Sequence, residues 1–373
     1  MEKRVIGIDV GGTRVRAALA EAAGGAVLRT VSAGAGNPRS VPAEVLTARL
    51  ASCVAPLAEA AGTGPVAAVV AGVAGAEPRD PDDAGTRVAY AALRTALRRG
   101  GIGPVPVQVC GDTEIAFAAG PGAPSSGVVV IAGTGASAAR IAARRQTGTI
   151  DGHGWLLGDE GSGFWVARQA LRAALRALDG RGPWTALVPL LTAAAGVGGA
   201  PGERGEGAEG AARQGAPGER GGSAERAAVA GGAGRGAGEF GERRRGGGAG
   251  RVPDRAGPGP AVGNAAVRVG LVDAGFAGAP VEIARWCPVV VRAAEGGDAV
   301  AGAILDEAAD HLAEAVAVLA PAPGEPLVTT GGLLAPAGPL LPRFTARMRP
   351  YGLTPAPVPD GLAGAVALAR AML

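Results

Sequence analysis

The stretch VIGIDVGGTRVRAA, residues Val5–Ala18, decides the fold. Two runs of alternating apolar residues flank Asp9 and the tripeptide Gly11-Gly12-Thr13. This pattern predicts two antiparallel strands joined by a turn in which glycine supplies a positive φ. The backbone N–H groups of such a turn and the Thr13 hydroxyl suit a polyphosphate, and Asp9 is placed to hold Mg²⁺ through water. The alternative is a plain hairpin without a ligand.

A second glycine loop repeats this layout. Gly133-Thr134-Gly135 follows an apolar run at residues 127–132 and precedes another strand-like run. One such loop is weak evidence, but two in one chain predict duplicated lobes that clasp one nucleotide. Gly331-Gly332 follows a late strand predicted at residues 326–330. It is a candidate contact for the adenine ring, although alone it would be only a turn.

Strands predicted at 26–32, 66–73 and 105–110 alternate with helices predicted at 41–61 and 86–99, which is typical of a mixed α/β sheet. The last of these strands leads into Gly111-Asp112-Thr113. Asp112 could simply cap a helix. It could also place a carboxylate at the carboxyl end of the sheet, where it would accept the proton of a hydroxyl attacking a phosphoryl group.

Two side chains are candidate ligands for a sugar. Asn37 precedes Pro38, which keeps it extended, so its amide could bind a sugar hydroxyl or serve the local turn. Asp159 follows a glycine-rich loop and could accept hydrogen bonds from two adjacent hydroxyls. Its alternative role is to cap the next helix together with Ser162.

The glycine-rich loop itself reads DGHGWLLGDEGSG, residues 151–163, and its glycines exclude an ordinary helix or strand. We expect Trp155 and the Leu156-Leu157 pair to anchor it. His153 is a candidate substrate contact with no acid–base role, whereas His311, inside a helical run, is expected to be structural.

Composition narrows the class of protein. The chain has 373 residues, 47% of them hydrophobic, which suffices for two packed lobes. No apolar run approaches the ~20 residues of a membrane span, and no signal-peptide core precedes the first strand, so we expect a soluble, cytoplasmic protein. A net charge of +3 with 3% aromatic residues argues against nucleic acid as a partner. Three scattered cysteines predict neither disulfides nor a zinc site.

Lys3 is the only lysine in the chain. No G-K-[ST] motif exists, which excludes a P-loop NTPase, and no lysine is available for a protein-kinase fold. Any phosphate chemistry must therefore rest on backbone amides, hydroxyls and a metal ion.

The three glycine loops and the GHGWLLGDEGSG block resemble the bacterial N-acetylglucosamine kinases of the BadF/BadG/BcrA/BcrD-type ATPase family, within the sugar kinase, heat-shock ATPase and actin superfamily. The resemblance covers residues 4–192 and 280–373. It implies an α/β, two-lobed, actin-like (ribonuclease H-like) fold with duplicated mixed sheets and flanking helices. The first lobe would comprise residues 1–115 and 355–373, and the second residues 116–354.

The resemblance also implies roles for particular residues. Asp112 matches the catalytic base, Asn37 and Asp159 match hexose ligands, and Asp9 would serve the metal. Ser137 stands where animal members have Asn, so the resemblance leaves open whether this residue contacts the 2-substituent of the sugar. The nucleotide contacts would be Gly11, Gly12, Thr13, Gly133, Thr134, Gly135, Gly331 and Gly332, and the loop lining the sugar Gly152, His153 and Gly154.

The function implied is transfer of the ATP γ-phosphoryl group, with Mg²⁺, to the 6-hydroxyl of an amino sugar, first of all N-acetylglucosamine, by a homodimer. Glucosamine is the alternative substrate. Two other classes stay open: a redox-coupled activator ATPase, which needs cysteines for an iron–sulfur cluster, and a catalytically impaired sugar-binding relative.

Residues 196–263 break the pattern. Gly, Ala, Arg and Glu dominate this segment and large apolar residues are almost absent, so we expect a disordered low-complexity insert in the second lobe. Its acidic and basic residues nearly balance, which leaves an RNA-binding arm a minor alternative.

Overall fold

The computed structural model describes residues 2–62, 64–77, 79–80, 82–197 and 262–373. The predicted disorder of the low-complexity insert therefore lies outside the described residues, except at its two ends. None of the described helices is long and apolar enough to cross a membrane.

The first sheet has five strands in the order β3-β2-β1-β4-β5. Its strands are β1 (Arg4–Val10), β2 (Val15–Glu21), β3 (Val27–Ala33), β4 (Val66–Val73) and β5 (Val107–Gly111). β1 pairs antiparallel with β2 and parallel with β4, and β4 pairs parallel with β5. Helices α1 (Ala43–Ala61) and α2 (Ala84–Arg99) pack together, and their apolar residues share one core with this sheet. The predicted β4 matches the observed strand at both ends.

The second sheet repeats the pattern with the strand order β10-β9-β6-β7-β8. Its strands are β6 (Gly127–Ala132), β7 (Ala136–Ala142), β8 (Arg145–Asp151), β9 (Leu327–Thr330) and β10 (Pro355–Pro357). β6 pairs antiparallel with β7 and parallel with β9, as β1 does with β2 and β4. The predicted architecture of duplicated mixed sheets with flanking helices is confirmed.

Helices of the second half pack around this second sheet. They are α4 (Gly163–Leu178), α5 (Leu187–Ala194), α6 (Val262–Ala277), α7 (Pro280–Ala284), α8 (Cys287–Glu295), α9 (Ala299–Val318) and α10 (Leu341–Met348), with a 3₁₀ turn at Arg349–Tyr351. Buried Trp165, Leu312 and Phe344 belong to the core that they form with β6, β7 and β9. The division of the chain into lobes stays a prediction, but β10 extends the second sheet, so residues 355–357 do not return to the first.

Two further helices lie against the first sheet, and one of them also reaches the second. Helix α3 (Asp112–Ala118) begins directly after β5, and α11 (Leu362–Arg370) closes the chain. α11 packs on β1 and on α3, while α3 also contacts β6 and β9 of the second sheet. On the second sheet, the Gln146 backbone N–H donates to Glu114 Oε1 at 3.0 Å, and the Gln146 side chain contacts Thr113. The start of α3 is therefore held from both sides.

We expect Gly364→Ala to destabilise this junction strongly. A Cβ at position 364 would overlap the Ile115 carbonyl oxygen of α3, so the helices would have to separate. Forcing atoms into a packed contact costs about 1–3 kcal/mol and sometimes more, and a backbone neighbour yields little. Thermal unfolding should show a clear loss for Gly364→Ala and none for Ala363→Ser at the neighbouring exposed position. Equal melting temperatures for the two variants would contradict this packing.

Candidate active site

Two carboxylates lie at the carboxyl ends of parallel strands in the first sheet. Asp9 is near the end of β1, and Asp112 directly follows β5 as the first residue of α3. Gly111, not Asp112, is the N-cap residue of α3, so the helix-capping alternative for Asp112 is wrong. Burial and, to a smaller extent, the negative charge of Asp9 raise the pKa of Asp112 to about 6. Asp112 is therefore a carboxylate that binds a proton near neutral pH.

Asp9 has a counter-charge that the sequence motifs do not indicate. Burial raises the pKa of Asp9, while Arg16 acts in the opposite direction. Arg16 Nη1 donates to Asp9 Oδ2 at 3.3 Å, and Arg16 Nε lies 3.7 Å from Asp360 Oδ2. The Gly361 N–H also donates to Asp9 Oδ2, at 3.3 Å. Only the three-dimensional approach of the C-terminal segment brings Asp360 to this site.

The first glycine loop connects β1 to β2 through residues 11–14. Gly11 N–H donates to Arg14 O at 2.9 Å, and Gly36 N–H donates to Gly11 O at 2.9 Å. Neither Gly11 nor Gly12 has a positive φ, so that reason for glycine here is wrong. A Cβ on Gly12 would meet no atom within 4 Å, and Gly12 and Thr13 are exposed. Glycine at position 12 therefore leaves the backbone accessible to a ligand, and no strained φ requires it there.

The second glycine loop is fixed by helix α4, which follows the glycine-rich loop of residues 151–163. Gly133 O accepts from Gly163 N at 2.8 Å, and Thr134 O accepts from Phe164 N at 3.2 Å. Both donors belong to the first turn of α4, so the loop carbonyls point to the helix and are already paired. Gly135 closes the loop by accepting from Gly133 N at 2.9 Å.

Gly331 and Gly332 adjoin the second glycine loop. A Cβ on Gly133 would lie 3.9 Å from both Gly331 Cα and Gly332 N. Gly331 has φ of +88°, and a Cβ there would overlap the Ala132 carbonyl oxygen. Glycine is required at position 331 by both conformation and space. The structure thus brings two of the three predicted nucleotide loops together.

The glycine-rich loop of residues 151–163 is organised by a residue that sequence reasoning missed. Asp151 Oδ1 accepts from Asp159 N at 2.8 Å, and Asp151 Oδ2 accepts from Glu160 N at 2.7 Å. A Cβ on Gly158 would overlap Asp151 Oδ1, so the loop must close tightly over this carboxylate. The signal available in the sequence was the Asp151-Gly152 dipeptide at the end of a strand, a common turn pair.

Asp159 does not cap the following helix. Its φ is +57°, and Ser162 caps α4 by accepting from Trp165 N at 3.1 Å. The Asp159 carboxylate instead lies against the second glycine loop: a Cβ on Gly135 would be 2.9 Å from Asp159 Oδ2. Burial raises the pKa of Asp159, while a long hydrogen bond from Ala136 N, at 3.4 Å, counteracts this.

The apolar residues of this loop do not anchor it, contrary to prediction. Leu156 is 68% exposed and Leu157 is 80% exposed. Trp155 is half exposed and rests its edge on the Phe164 ring, with 5.6 Å between ring centroids. His153 is exposed, and His311 packs edge-on against Trp165 with its Nδ1 3.5 Å from Glu160 Oε2. His311 therefore has the structural environment that was expected.

The remaining candidates divide between the two sheets. Asn37 follows β3 next to Gly36, which binds the first glycine loop, and its Oδ1 accepts from Arg39 N at 2.8 Å. Ser137 on β7 pairs with Asp151 on β8, and a Cβ on Gly152 would lie 3.1 Å from Ser137 Cβ. Asn37, Asp9, Asp112 and the first loop thus form one group, and Ser137, Gly152, Asp159 and the second loop form another, with α3 touching both sheets.

The profile of the BadF/BadG/BcrA/BcrD ATPase family matches residues 6–366. The chain belongs to this family. Among curated relatives, an N-acetylmuramic acid/N-acetylglucosamine kinase of Clostridium acetobutylicum is 37% identical over 81 residues, which cover 22% of this chain and 26% of that protein. An N-acetyl-D-glucosamine kinase of Dictyostelium discoideum is 38% identical over 80 residues, or 21% and 25%. The matches thus span about a quarter of each relative.

Solved structures agree on the fold over the full chain. A protein from Chromobacterium violaceum, solved as a candidate N-acetylglucosamine kinase, superposes with a TM-score of 0.62 at 18% identity and covers 98% of each chain. A ROK family glucokinase from Streptomyces griseus, solved with glucose and AMPPNP, gives 0.52 at 17% identity and covers 99% of each chain. This family member therefore has the two-lobed actin-like sugar kinase fold.

The donor set around Asp9 fits a magnesium–nucleotide complex. Asp9 is a buried carboxylate whose charge raises the pKa of Asp112, and Arg16 is the cation that contacts Asp9. Within the described part of the chain, no three acidic, His or Cys side chains group into a metal site by themselves. Mg²⁺ in nucleotide sites commonly uses one or two carboxylates, water and phosphate oxygens, and a single carboxylate such as Asp9 is compatible with that pattern.

Proposed function

We propose that this protein transfers the γ-phosphoryl group of ATP to the 6-hydroxyl of an amino sugar, first of all N-acetylglucosamine. The observation that carries the proposal is Asp112: its pKa is raised to about 6 by burial and then by Asp9. A carboxylate with this proton affinity suits a base that accepts a hydroxyl proton near neutral pH. Asp112 follows the carboxyl end of a strand in the parallel part of the first sheet, and α/β folds bind ligands at such strand ends.

Each glycine loop has a part in this reaction. The exposed backbone of Gly12 and Thr13, next to Gly11, would bind phosphate oxygens, and Gly133, Thr134 and Gly135 would bind from the second sheet. Gly331 and Gly332 would take the adenosine. Asp9 would hold Mg²⁺ through water, and the ion would supply charge neutralisation on the phosphates.

The sugar would lie between the two groups of residues. Asn37 would bind one hydroxyl, and the Asp159 carboxylate would accept from two others and fix the orientation of the ring. Gly152, His153 and Gly154 would line the sugar, with Ser137 behind them near the 2-substituent. The curated relatives named above act on N-acetylated sugars, which supports N-acetylglucosamine ahead of glucosamine.

The redox-coupled activator role has less support. Cys53, Cys110 and Cys287 are all buried, and burial raises the pKa of each thiol, that of Cys287 to about 12. Cluster ligands must be thiolates. The homodimer and the cytoplasmic location stay predictions.

The test is ADP release by purified protein with Mg-ATP and N-acetylglucosamine, glucosamine, glucose or no sugar. Sugar-dependent ADP release together with a phosphorylated product would support the kinase. NMR of the product would identify which sugar hydroxyl carries the phosphoryl group. Release without any sugar dependence would contradict it. Binding of sugar by calorimetry without turnover would identify the impaired sugar-binding relative instead.

We expect kcat to begin to fall, as the pH is lowered, at a higher pH than it would if the catalytic base were a carboxylate of ordinary pKa. Because burial raises the pKa of Asp112 to about 6, the unprotonated base is depleted as the pH falls through that value. kcat measured at saturating sugar and Mg-ATP should therefore fall below about pH 6 instead of about pH 4. A kcat that stays constant down to pH 4.5, with the protein still folded, would contradict this assignment.

A further inference from the structure

The segment that carries Asn37 is tied to the loop after β4 by two charged side chains. Arg39 Nη2 donates to Asp83 Oδ1 at 2.8 Å, and Arg39 Nε donates to Gly75 O at 2.7 Å. We call this pair the Arg39–Asp83 clamp. One guanidinium thus joins the turn after β3, the turn after β4 and the start of α2.

Asp83 is the fixed end of the clamp. It is 8% exposed and is the N-cap residue of α2. Its second oxygen, Oδ2, accepts from Glu77 N at 2.9 Å, and from both Thr86 N and Thr86 Oγ1 at 2.7 Å. Partial burial opposes ionisation, but these hydrogen bonds and Arg39 lower the pKa of Asp83 to about 2. The anchor is therefore charged at any physiological pH.

Arg39 is the end that reaches Asn37. Its backbone N–H donates to Asn37 Oδ1 at 2.8 Å, which orients the amide. A Cβ on Gly75 would overlap the same Oδ1, so the Gly75 backbone lies directly against the Asn37 side chain. Gly75 O is the atom that accepts from Arg39 Nε, so Arg39 also holds this neighbour of Asn37 in place. Among the described residues, none accepts a hydrogen bond from the Asn37 amide nitrogen, which leaves that donor available to a ligand.

We infer that the Arg39–Asp83 clamp positions Asn37 for the sugar, and that Arg39 and Asp83 are positioning residues that do not touch the substrate themselves. The inference rests on the proposed function, because Asn37 is a sugar ligand only there. Arg39 is 60% exposed at its side chain, so its role in the core is small. Its three hydrogen bonds all fix the turn that carries Asn37.

Lysine at position 39 keeps the charge but cannot bridge Gly75 O and Asp83 together, because its ammonium has no planar fork. We expect Arg39→Lys to raise the sugar Kd and KM about tenfold, since misplacing one ligand by a fraction of an ångström weakens binding to this degree. kcat should stay within about threefold and the KM for ATP should not change. Asp83→Asn, which retains a good N-cap, should act in the same direction.

The closing experiment is calorimetric sugar binding plus steady-state kinetics on wild type, Arg39→Lys, Asn37→Ala and the double variant. Arg87→Lys is the matched control, because Arg87 forms only an exposed pair with Asp82 at 3.8 Å. If Arg39 acts through Asn37, the double variant should lose little more affinity than Asn37→Ala alone. Two results would overturn the inference without contradicting the proposed kinase function. One is a double variant whose loss of sugar affinity equals the sum of the two single losses, and the other is an unchanged sugar Kd in Arg39→Lys. Wild type that neither binds nor phosphorylates any of the sugars would overturn both.

Discussion

Asp112→Asn should abolish sugar-dependent ADP formation, lowering kcat by about 10²–10⁴-fold, the usual contribution of a positioned base. Asparagine has nearly the same shape and fits after β5, but it cannot accept the proton of the attacking hydroxyl. The KM for the sugar should change much less than kcat, since binding would rest on Asn37 and Asp159. Coupled-enzyme detection of ADP at saturating sugar and Mg-ATP measures the effect. Asp82→Asn is the matched control, because that side chain is 93% exposed.

The same variant should be more stable than wild type at neutral pH. The folded-state pKa of Asp112 lies above its ordinary value of 3.8, at about 6, so the folded protein binds the proton more tightly than the unfolded chain. Its contribution to stability is present at low pH and is lost as the pH rises through about 6. At pH 7.5 an ionised Asp112 beside Asp9 therefore costs stability, and asparagine removes that cost.

Thermal unfolding at pH 7.5 without nucleotide should show Asp112→Asn melting about 1–3 °C above wild type, with the difference fading at pH 5. An inactive but more stable variant indicates a site in which function opposes stability. An inactive variant that melts lower at both pH values would show that Asp112 is a structural carboxylate, and full activity in Asp112→Asn would remove it from the mechanism.

The parts of the fold that depend on local pattern were predictable. β4 was delimited correctly at both ends because its apolar run lies between Gly64-Pro65 and Ala74-Gly75, which are typical of turns. The duplicated sheets followed from the repeat of strand, glycine loop and strand. The position of Asp112 after a predicted strand placed it at the carboxyl end of the sheet without any knowledge of tertiary contacts.

The errors concern features that hydropathy and local propensity do not encode. Leu156 and Leu157 looked like anchors, yet the loop is fixed by polar atoms, and hydropathy does not encode hydrogen bonds. Arg16 near Asp360 joins positions separated by most of the chain, so no local pattern could indicate that pair. Glycine at positions 11 and 12 was assigned to conformation, whereas neither residue has a positive φ and the space around Gly12 is open.

Replacement of Asp151 should have the second-largest effect on the site, although this residue touches neither sugar nor nucleotide in the proposal. Its two oxygens accept from the backbone N–H groups of Asp159 and Glu160, at 2.8 and 2.7 Å. Its φ is +61°, a conformation that Asn adopts more readily than Ala, so Asp151→Asn is the cleaner variant. Asparagine retains one acceptor and places an NH₂ group where a second acceptor is needed.

We expect Asp151→Asn to lower kcat/KM for the sugar about 30- to 100-fold, because losing a hydrogen bond to a charged group costs about 1.5–3 kcal/mol and the displaced backbone carries Asp159. The loss should fall mainly on the KM for the sugar. Asp151→Gly, which adopts the same φ freely but offers no acceptor, should lose at least as much. Asp159→Asn provides the comparison: if Asp151 acts by holding Asp159, the loss in the Asp151→Asn/Asp159→Asn double variant should be far from additive. A reduced melting temperature with an unchanged sugar KM would instead show that Asp151 stabilises the loop without positioning a ligand.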